Sequence, residues 1–366
     1  MNIDWRFKFL YFVAIVAVIV GHVSGGLGIL YDWFRPYSYH LPLFVFGSGY
    51  FFKESSTENV RKYILHKVKT LIIPFYLWHL FYGIVCVMIK NFGFFTKTNF
   101  TFSNLLIDPI MTGHSFIFDM GGWFVIPLFM IQIFNVIVRK LLKISSIHIN
   151  EYFMFILYLI LGLIGVILRN NDINVGIWLV LDRFLRLLPY YELGILYKDK
   201  LEQKDNIPSI WYFSIIFLIQ IIFITLNDSK HIELSLSWCG DKYKFILTPY
   251  IVSFAGIAFW LRVSNIMLPI IKNNKYIKLV CDNAYSIMIN QFTGFMVIKT
   301  VWAFISKYTS YCTDFDMEKY KSDIWYYYYP NYHFQIFYIV AGLVIPIVMQ
   351  MFIDKVKVLI KTKRKG

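Results

Sequence analysis

Ten stretches of this 366-residue chain are apolar enough to cross a membrane, and the Lys and Arg residues between them gather on alternate sides. The stretches are 7–23, 38–52, 71–90, 121–138, 152–168, 175–197, 208–226, 245–261, 283–305 and 334–353. A helical span needs ~20 mostly apolar residues. The second run is short and carries Pro42, Gly47 and Gly49, so it is expected to be tilted, broken or partly re-entrant. No soluble domain is visible between the runs. The expected fold is therefore all-α: a polytopic transmembrane helical bundle of about ten spans, with residues 1–366 forming a single integral membrane domain.

Charge sets the orientation. With the N-terminus in the cytoplasm, inner ends and connections hold 23 of the 36 Lys and Arg residues, Lys8 at the edge of the first run included, and outer ones hold 10, Lys90 at the edge of the third included. Arg183, Arg186 and Lys299 lie within spans. An excess repeated in every inner segment follows the positive-inside rule, so both termini are expected to be cytoplasmic. The first run, with small residues Ser24 to Gly26 behind it, also has the form of a signal peptide; nine further runs favour a first span. The basic tail from Lys355 to Lys365 is expected to lie against anionic lipid headgroups. The Ile, Lys, Asn, Tyr and Phe bias points to an AT-rich bacterial genome, hence to a bacterial plasma membrane.

Composition excludes other classes. Charged residues make up 16% of the chain, against about a quarter in a soluble domain. The net charge of +14 sits in clusters beside apolar runs, so it reads as orienting charge and no nucleic-acid partner is expected. The four cysteines lack metal-ligand spacing and no metal is expected. Cys239 and Cys312 both fall in outer connections, where a disulfide between them stays open.

The polar residues left in apolar surroundings pose the functional question. His22 ends the first run, and imidazole is the side chain best suited to move a proton near neutral pH. A histidine packed at headgroup level is the bland alternative. At ~100° per residue, Tyr11 shares its helix face about 16 Å away and Lys8 lies within ~40° of that face. One face thus runs from a cytoplasmic cation to an outer histidine, which suits a cytoplasmic donor and an outer acceptor. In the next run Ser48, between Gly47 and Gly49, is either a tight packing point or a hydroxyl donor. Arg61, Lys67 and Lys69 orient the third span and are placed to bind phosphates. Trp325 and the run Tyr326 to Tyr329 form an interfacial belt or a glycan-stacking surface.

The first span ending in Gly21-His22 is followed by His40-Leu41-Pro42-Leu43-Phe44-Val45-Phe46-Gly47-Ser48-Gly49-Tyr50-Phe51-Phe52, then by a basic stretch entering Ile73-Pro74-Phe75-Tyr76. This order resembles the acyltransferase-3 family of integral membrane acyltransferases. Gly121 to Phe129 around Trp123, Leu188 to Gly194, and Asn283 to Asn290 resemble later segments of the same family, in order. The last is closest to members from capsule and exopolysaccharide gene clusters. The resemblance covers nearly the whole chain, and its specificity lies in the ordered set.

The resemblance implies transfer of an acyl group, often acetyl from cytoplasmic acetyl-CoA, to a glycan or other acceptor at or beyond the membrane, with His22 as the essential histidine. The family usually has Arg or Lys where this chain has Tyr11, and tends to have His where it has Gln291; Lys8 reaches toward the place of the first. Arginines in hydrocarbon face a cavity or a partner. Arg183 and Arg186 are therefore read as lining a polar channel for the pantetheine arm or acceptor oxygens, or as pairing with carboxylates of other spans. Glu192 lies too far around the helix to pair with Arg186. His40, Asp119, Glu192, Asn290 and Gln291 are candidate acceptor contacts; interhelical hydrogen bonding is the alternative for Asn290 and Gln291 and the default for Gln132 and Asn135. The expected enzyme is a membrane O-acyltransferase acting on a cell-surface polysaccharide or its lipid-linked precursor. His22 would be its general base, and Ser48, Trp123 or Arg183 its oxyanion donor. Lys8, Tyr11, Arg61, Lys67, Lys69 and Arg186 would hold acyl-CoA in a polar cavity between the first, second and sixth spans. The rival is a non-enzymatic transporter or flippase of lipid-linked glycans, which needs no base at His22.

Overall fold

The computed structural model describes residues 3–23, 35–96, 99–227 and 232–363. Every expected run is helical, and no strand occurs among the described residues. The long helices are α1 (Trp5–Val23), α2 (Pro36–Tyr50), α3 (Val60–Lys90), α4 (Met120–Ile144), α5 (Glu151–Asn170), α6 (Ile177–Leu196), α7 (Ser209–Leu226), α8 (Thr248–Ile271), α9 (Ala284–Tyr308) and α10 (Gln335–Lys363). A π turn at Val68–Ile72 interrupts α3. The small residues Ser24 to Gly26 lie outside the described residues.

Eight of these helices are long and apolar enough to cross a membrane; α2 and α6 are the others. The reason differs for each. With 15 residues, α2 rises only about 22 Å, short of the ~30 Å hydrocarbon layer. It is an intact helix, though, and α1, α6 and α8 pack around it. α6 is long enough but carries Asp182, Arg183, Arg186 and Glu192, all buried. A helix enclosed by protein does not need a continuous apolar surface, and these two form the middle of the bundle. By contrast α7, which leans on α8, turns Ile210, Trp211, Leu218 and Ile222 outward, as a lipid-facing helix does.

Contacts between connections sort the helix ends into two sets. At the basic end, Arg6 pairs with Glu202 at 2.7 Å, just past α6, and Lys8 with Asp282 at 2.6 Å, just before α9. Arg139 of α4 pairs there with Glu151 and Glu192. At the opposite end, Arg183 donates to the Thr112 carbonyl at 3.0 Å, and Arg169 to that of Gly240 at 2.7 Å. Alternation of helix direction therefore holds through α2 and α6 as well. Asp282 ends the short amphipathic helix Lys275–Asp282, which lays Ile277 and Val280 inward beside α1. Burial pushes the Asp282 carboxyl up, but hydrogen bonds from Lys278 and Lys8 outweigh it, and its pKa lies below the ordinary aspartate value. All four cysteines are free thiols: Cys239 is buried beside Asp182, and Cys312 lies near Tyr328.

A close helix crossing joins α2 to α6. A Cβ on Gly49 would strike the Tyr191 carbonyl, and one on Gly194 would strike that of Phe46. Small residues are what let helix backbones meet in a membrane. Gly49→Ala or Gly194→Ala is expected to destabilise the protein by about 1–3 kcal/mol, the usual range for overpacking. A lower thermal midpoint of the detergent-purified variant checks this, and an unchanged midpoint at both positions counts against the crossing.

Candidate active site

His22 stands in the last turn of α1 and is half-buried. Its ring does not face lipid. The Phe292 ring lies 5.1 Å away between centroids, Trp325 5.8 Å and Tyr37 6.3 Å. The Tyr37 hydroxyl reaches Nδ1 at 3.4 Å. Nε2 has no hydrogen-bond partner among the described residues and is the nitrogen left for chemistry.

Two narrow cavities of about 30 Å³ each meet at this ring, each with room for roughly two waters. The inner one is bounded by His40, Phe44, Trp123, Met288 and Gln291 together with His22. The outer one adds Arg183, Trp238, Phe292 and Trp325. A second imidazole is thus close by. His40 Nδ1 lies 2.5 Å from the Pro36 carbonyl, and a carbonyl only accepts, so Nδ1 carries the proton and Nε2 keeps its lone pair.

Local sequence explains how these groups converge. Gly121 begins α4 against α9: a Cβ there would strike the Met288 carbonyl and lie 3.2 Å from Gln291 Nε2. That approach sets Trp123 and Gln291 on the same cavity. Gln291 is fully buried; its Nε2 donates to the Met288 carbonyl at 3.0 Å, while Oε1 has no partner. Arg183 holds two connections by their carbonyls, Ser237 through Nε at 3.0 Å and Thr112 through Nη2 at 3.0 Å, and its guanidinium lies 5.0 Å over the Trp123 ring.

From His22 a seam of incompletely buried side chains runs toward the basic end. On α2 only Tyr37, Phe44 and Ser48 escape full burial. Their spacings of seven and four residues put them on one face. Tyr11 lies along that face: its ring stacks on Phe44 at 5.7 Å, and its hydroxyl sits 2.5 Å from where a Gly47 Cβ would be, next to Ser48. Lys8, one turn further, closes the seam with Asp282. This seam belongs to α1 and α2; the expected third wall, α6, is packed tightly onto α2 and contributes only Arg183, at the outer mouth. A cavity of about 770 Å³ lies elsewhere, between α3, α9 and α10 at the basic end, and His22 is not among its lining residues.

The structure therefore brings together His22, His40, Trp123, Arg183 and Gln291, and along the seam Tyr11, Ser48 and Lys8. It does not bring in the rest. Arg61, Lys67 and Lys69 stand on the first turns of α3, with Lys67 5.2 Å over the Tyr63 ring. Arg186 is enclosed by Asp182 and Tyr243 on the far side of α6. Glu192 pairs with Arg139. Asn290 accepts from Tyr82 at 2.5 Å and donates to Ser286 at 3.0 Å, between α3 and α9. Asp119 is clamped by His79 and by the Phe116 amide at 3.2 Å. Among the residues sequence reasoning missed, Tyr37 and Trp238 carried no signal beyond being aromatic, and His79 is hidden inside an apolar run.

The acyltransferase-3 family, described as an acyltransferase domain, matches residues 7–351. No curated protein matches the chain, and neither does any solved structure.

Proposed function

The chain belongs to the acyltransferase-3 family and is a multi-pass membrane acyltransferase; on that premise we propose that it is an O-acyltransferase, moving acetyl from cytoplasmic acetyl-CoA to a hydroxyl of a cell-surface polysaccharide or its lipid-linked precursor in a bacterial plasma membrane. The observation that carries this reading is the free Nε2 of His22 on a cavity, with Tyr11, Ser48 and Lys8 aligned between it and the basic end.

In this mechanism the acceptor hydroxyl hydrogen-bonds His22 Nε2. As its oxygen attacks the thioester carbonyl, the proton passes to the imidazole, a new C–O bond forms and the C–S bond breaks. The imidazolium then returns the proton to the departing CoA sulfur. Base catalysis of this kind contributes about 10²–10⁴-fold. The Tyr37 hydroxyl, on Nδ1, accepts from Nδ1–H and leaves the Nε2 lone pair toward the acceptor. The negative charge on the tetrahedral oxygen would be met by Arg183, whose Nη1 is not used in its carbonyl bonds, or by the Trp123 indole N–H. Lys8 and the cations Arg61, Lys67 and Lys69 would attract the CoA phosphates at the basic end. The hydroxyls of Tyr11 and Ser48 would line the path of the acyl-pantetheine arm. Phe44 stands in that path, so donor entry requires its ring to swing.

The test uses the purified protein in nanodiscs with radiolabelled acetyl-CoA and polysaccharide from a strain lacking the gene. CoA release coupled to label on the glycan is expected, with a matching loss of acyl mass on the surface polysaccharide of the deletion strain. Unchanged polysaccharide mass on deletion, together with no label transfer, refutes the assignment.

A further inference from the structure

Two half-exposed tryptophans stand over the cavity at His22, and the proposed function does not use them. Trp238 is 54% exposed and Trp325 44%. Tryptophans in connections usually form belts against lipid. These two instead line the same cavity as His22 and Arg183. Trp325 is also held in place. Its amide donates to Asp323 at 2.7 Å, and the preceding Ile324 carbonyl accepts from Lys299 at 2.5 Å. That lysine is fully buried in α9 and lies 4.8 Å over the Tyr327 ring. A buried lysine that reaches out to a connection fixes the backbone that carries this indole beside His22.

Below the indoles, Gln291 supplies a second observation. Its amide orientation is set, since Nε2 must donate to the Met288 carbonyl. Oε1 is then a buried acceptor without a partner, an unfavourable arrangement that an incoming donor relieves. Binding sites combine apolar and aromatic walls with a few fixed polar groups that set orientation. Pyranose rings offer the matching surface: one face rich in C–H bonds, and an edge of hydrogen-bond donors.

Building on the acyltransferase reading, we propose that the acceptor is a pyranose unit whose C–H face lies on Trp325 or Trp238. Its edge points inward, so that the reacting hydroxyl meets His22 while a neighbouring O–H or N–H donates to Gln291 Oε1. The substrate class is then a sugar with a vicinal hydroxyl or acetamido group beside the acylated position. Trp325, Trp238 and Gln291 bind the acceptor, and Lys299 is a positioning residue that acts through Trp325.

The experiment compares Trp238→Ala, Trp325→Ala, Trp325→Tyr and Gln291→Leu with wild type, using acetyl-CoA and polysaccharide purified from the deletion strain. Trp211→Ala, on the lipid-facing side of α7, is the control and should match wild type. The alanine variants and Gln291→Leu are expected to raise KM for the polysaccharide at least tenfold and that for acetyl-CoA less than twofold. Trp325→Tyr should recover most of the loss. The thermal midpoint of Gln291→Leu should equal or exceed that of wild type, because the unpartnered acceptor is gone. Equal rises in both KM values, an unchanged polysaccharide KM, or a lowered midpoint for Gln291→Leu each overturn the proposal. A wild-type protein that transfers nothing to the polysaccharide fails the underlying reading; a competent wild type with indifferent tryptophan variants fails only the acceptor site.

Discussion

Replacing His22 by alanine is expected to lower acyl transfer by about 10²–10⁴-fold, the range that a positioned general base supplies, with the protein still folded. The two halves of that expectation come from different observations. Loss of rate follows from the free Nε2 between two cavities, one shared with Trp123 and Gln291 and the other with Trp123 and Arg183. Retention of the fold follows from how little His22 does for packing: it is half-buried in the last turn of α1, and its one hydrogen bond is a long 3.4 Å contact with Tyr37. A side chain that held the fold together would be buried and fully partnered, as His79 is. CoA release with polysaccharide as acceptor is the measurement, normalised to protein that elutes as a single species. Activity within threefold of wild type would sink the base assignment. Tyr37→Phe keeps the ring that packs on Gly21 and His40 but removes the hydroxyl, so its smaller loss would appear in kcat more than in either KM.

Helix existence was legible throughout, because every run long enough to need internal backbone hydrogen bonding in lipid has a single economical solution. The short second run was legible as an oddity, but the reason for it was not. Its length makes sense only once α1, α6 and α8 enclose it. Helical periodicity placed Lys8, Tyr11 and His22 on one face, and the structure places that face against Tyr37, Phe44 and Ser48. Periodicity says which residues share a face; it does not say which helix covers them. Arg183 and Arg186 show the limit. They sit three residues apart in the same span, yet one reaches the mouth beside Trp123 while the other turns to Asp182 and Tyr243. Asp182 is a local neighbour, four residues back, but Ser237 and Tyr243 come from connections 54 and 57 residues away along the chain, and nothing in the local pattern encodes that distance. Trp238 was invisible for the same reason: it belongs to the site only because Arg183 draws the Ser237 carbonyl in beside His22.

At the other end of the bundle, Arg139→Leu is expected to cost about 3–5 kcal/mol, the penalty for removing one partner of a buried ion pair. Arg139 donates through Nη2 to Glu192 at 2.8 and 3.0 Å, and through Nη1 and Nη2 to Glu151 at 2.9 and 2.8 Å. Glu192 has no exposed surface and Glu151 only a little. Without the guanidinium, two carboxylates face each other with no cation between them, and Glu192 cannot turn to water. That loss is large against the ~5–15 kcal/mol by which folded proteins exceed their unfolded states, so a sharp fall in thermal midpoint and in yield of folded protein is expected. The direction reverses when both charges are removed. In Arg139→Leu with Glu192→Leu, Glu151 retains its access to solvent, and buried apolar replacements of an ion pair are often neutral or stabilising. The double variant should therefore recover at least half of the lost midpoint. Recovery also separates this network from catalysis: a protein restored in stability should be restored in acyl transfer, since Glu192 lies at the basic end among its own partners and does not border the His22 cavities. A double variant as unstable as the single one would show that Arg139 acts through packing rather than charge. One that is stable but inactive would return Glu192 to the site.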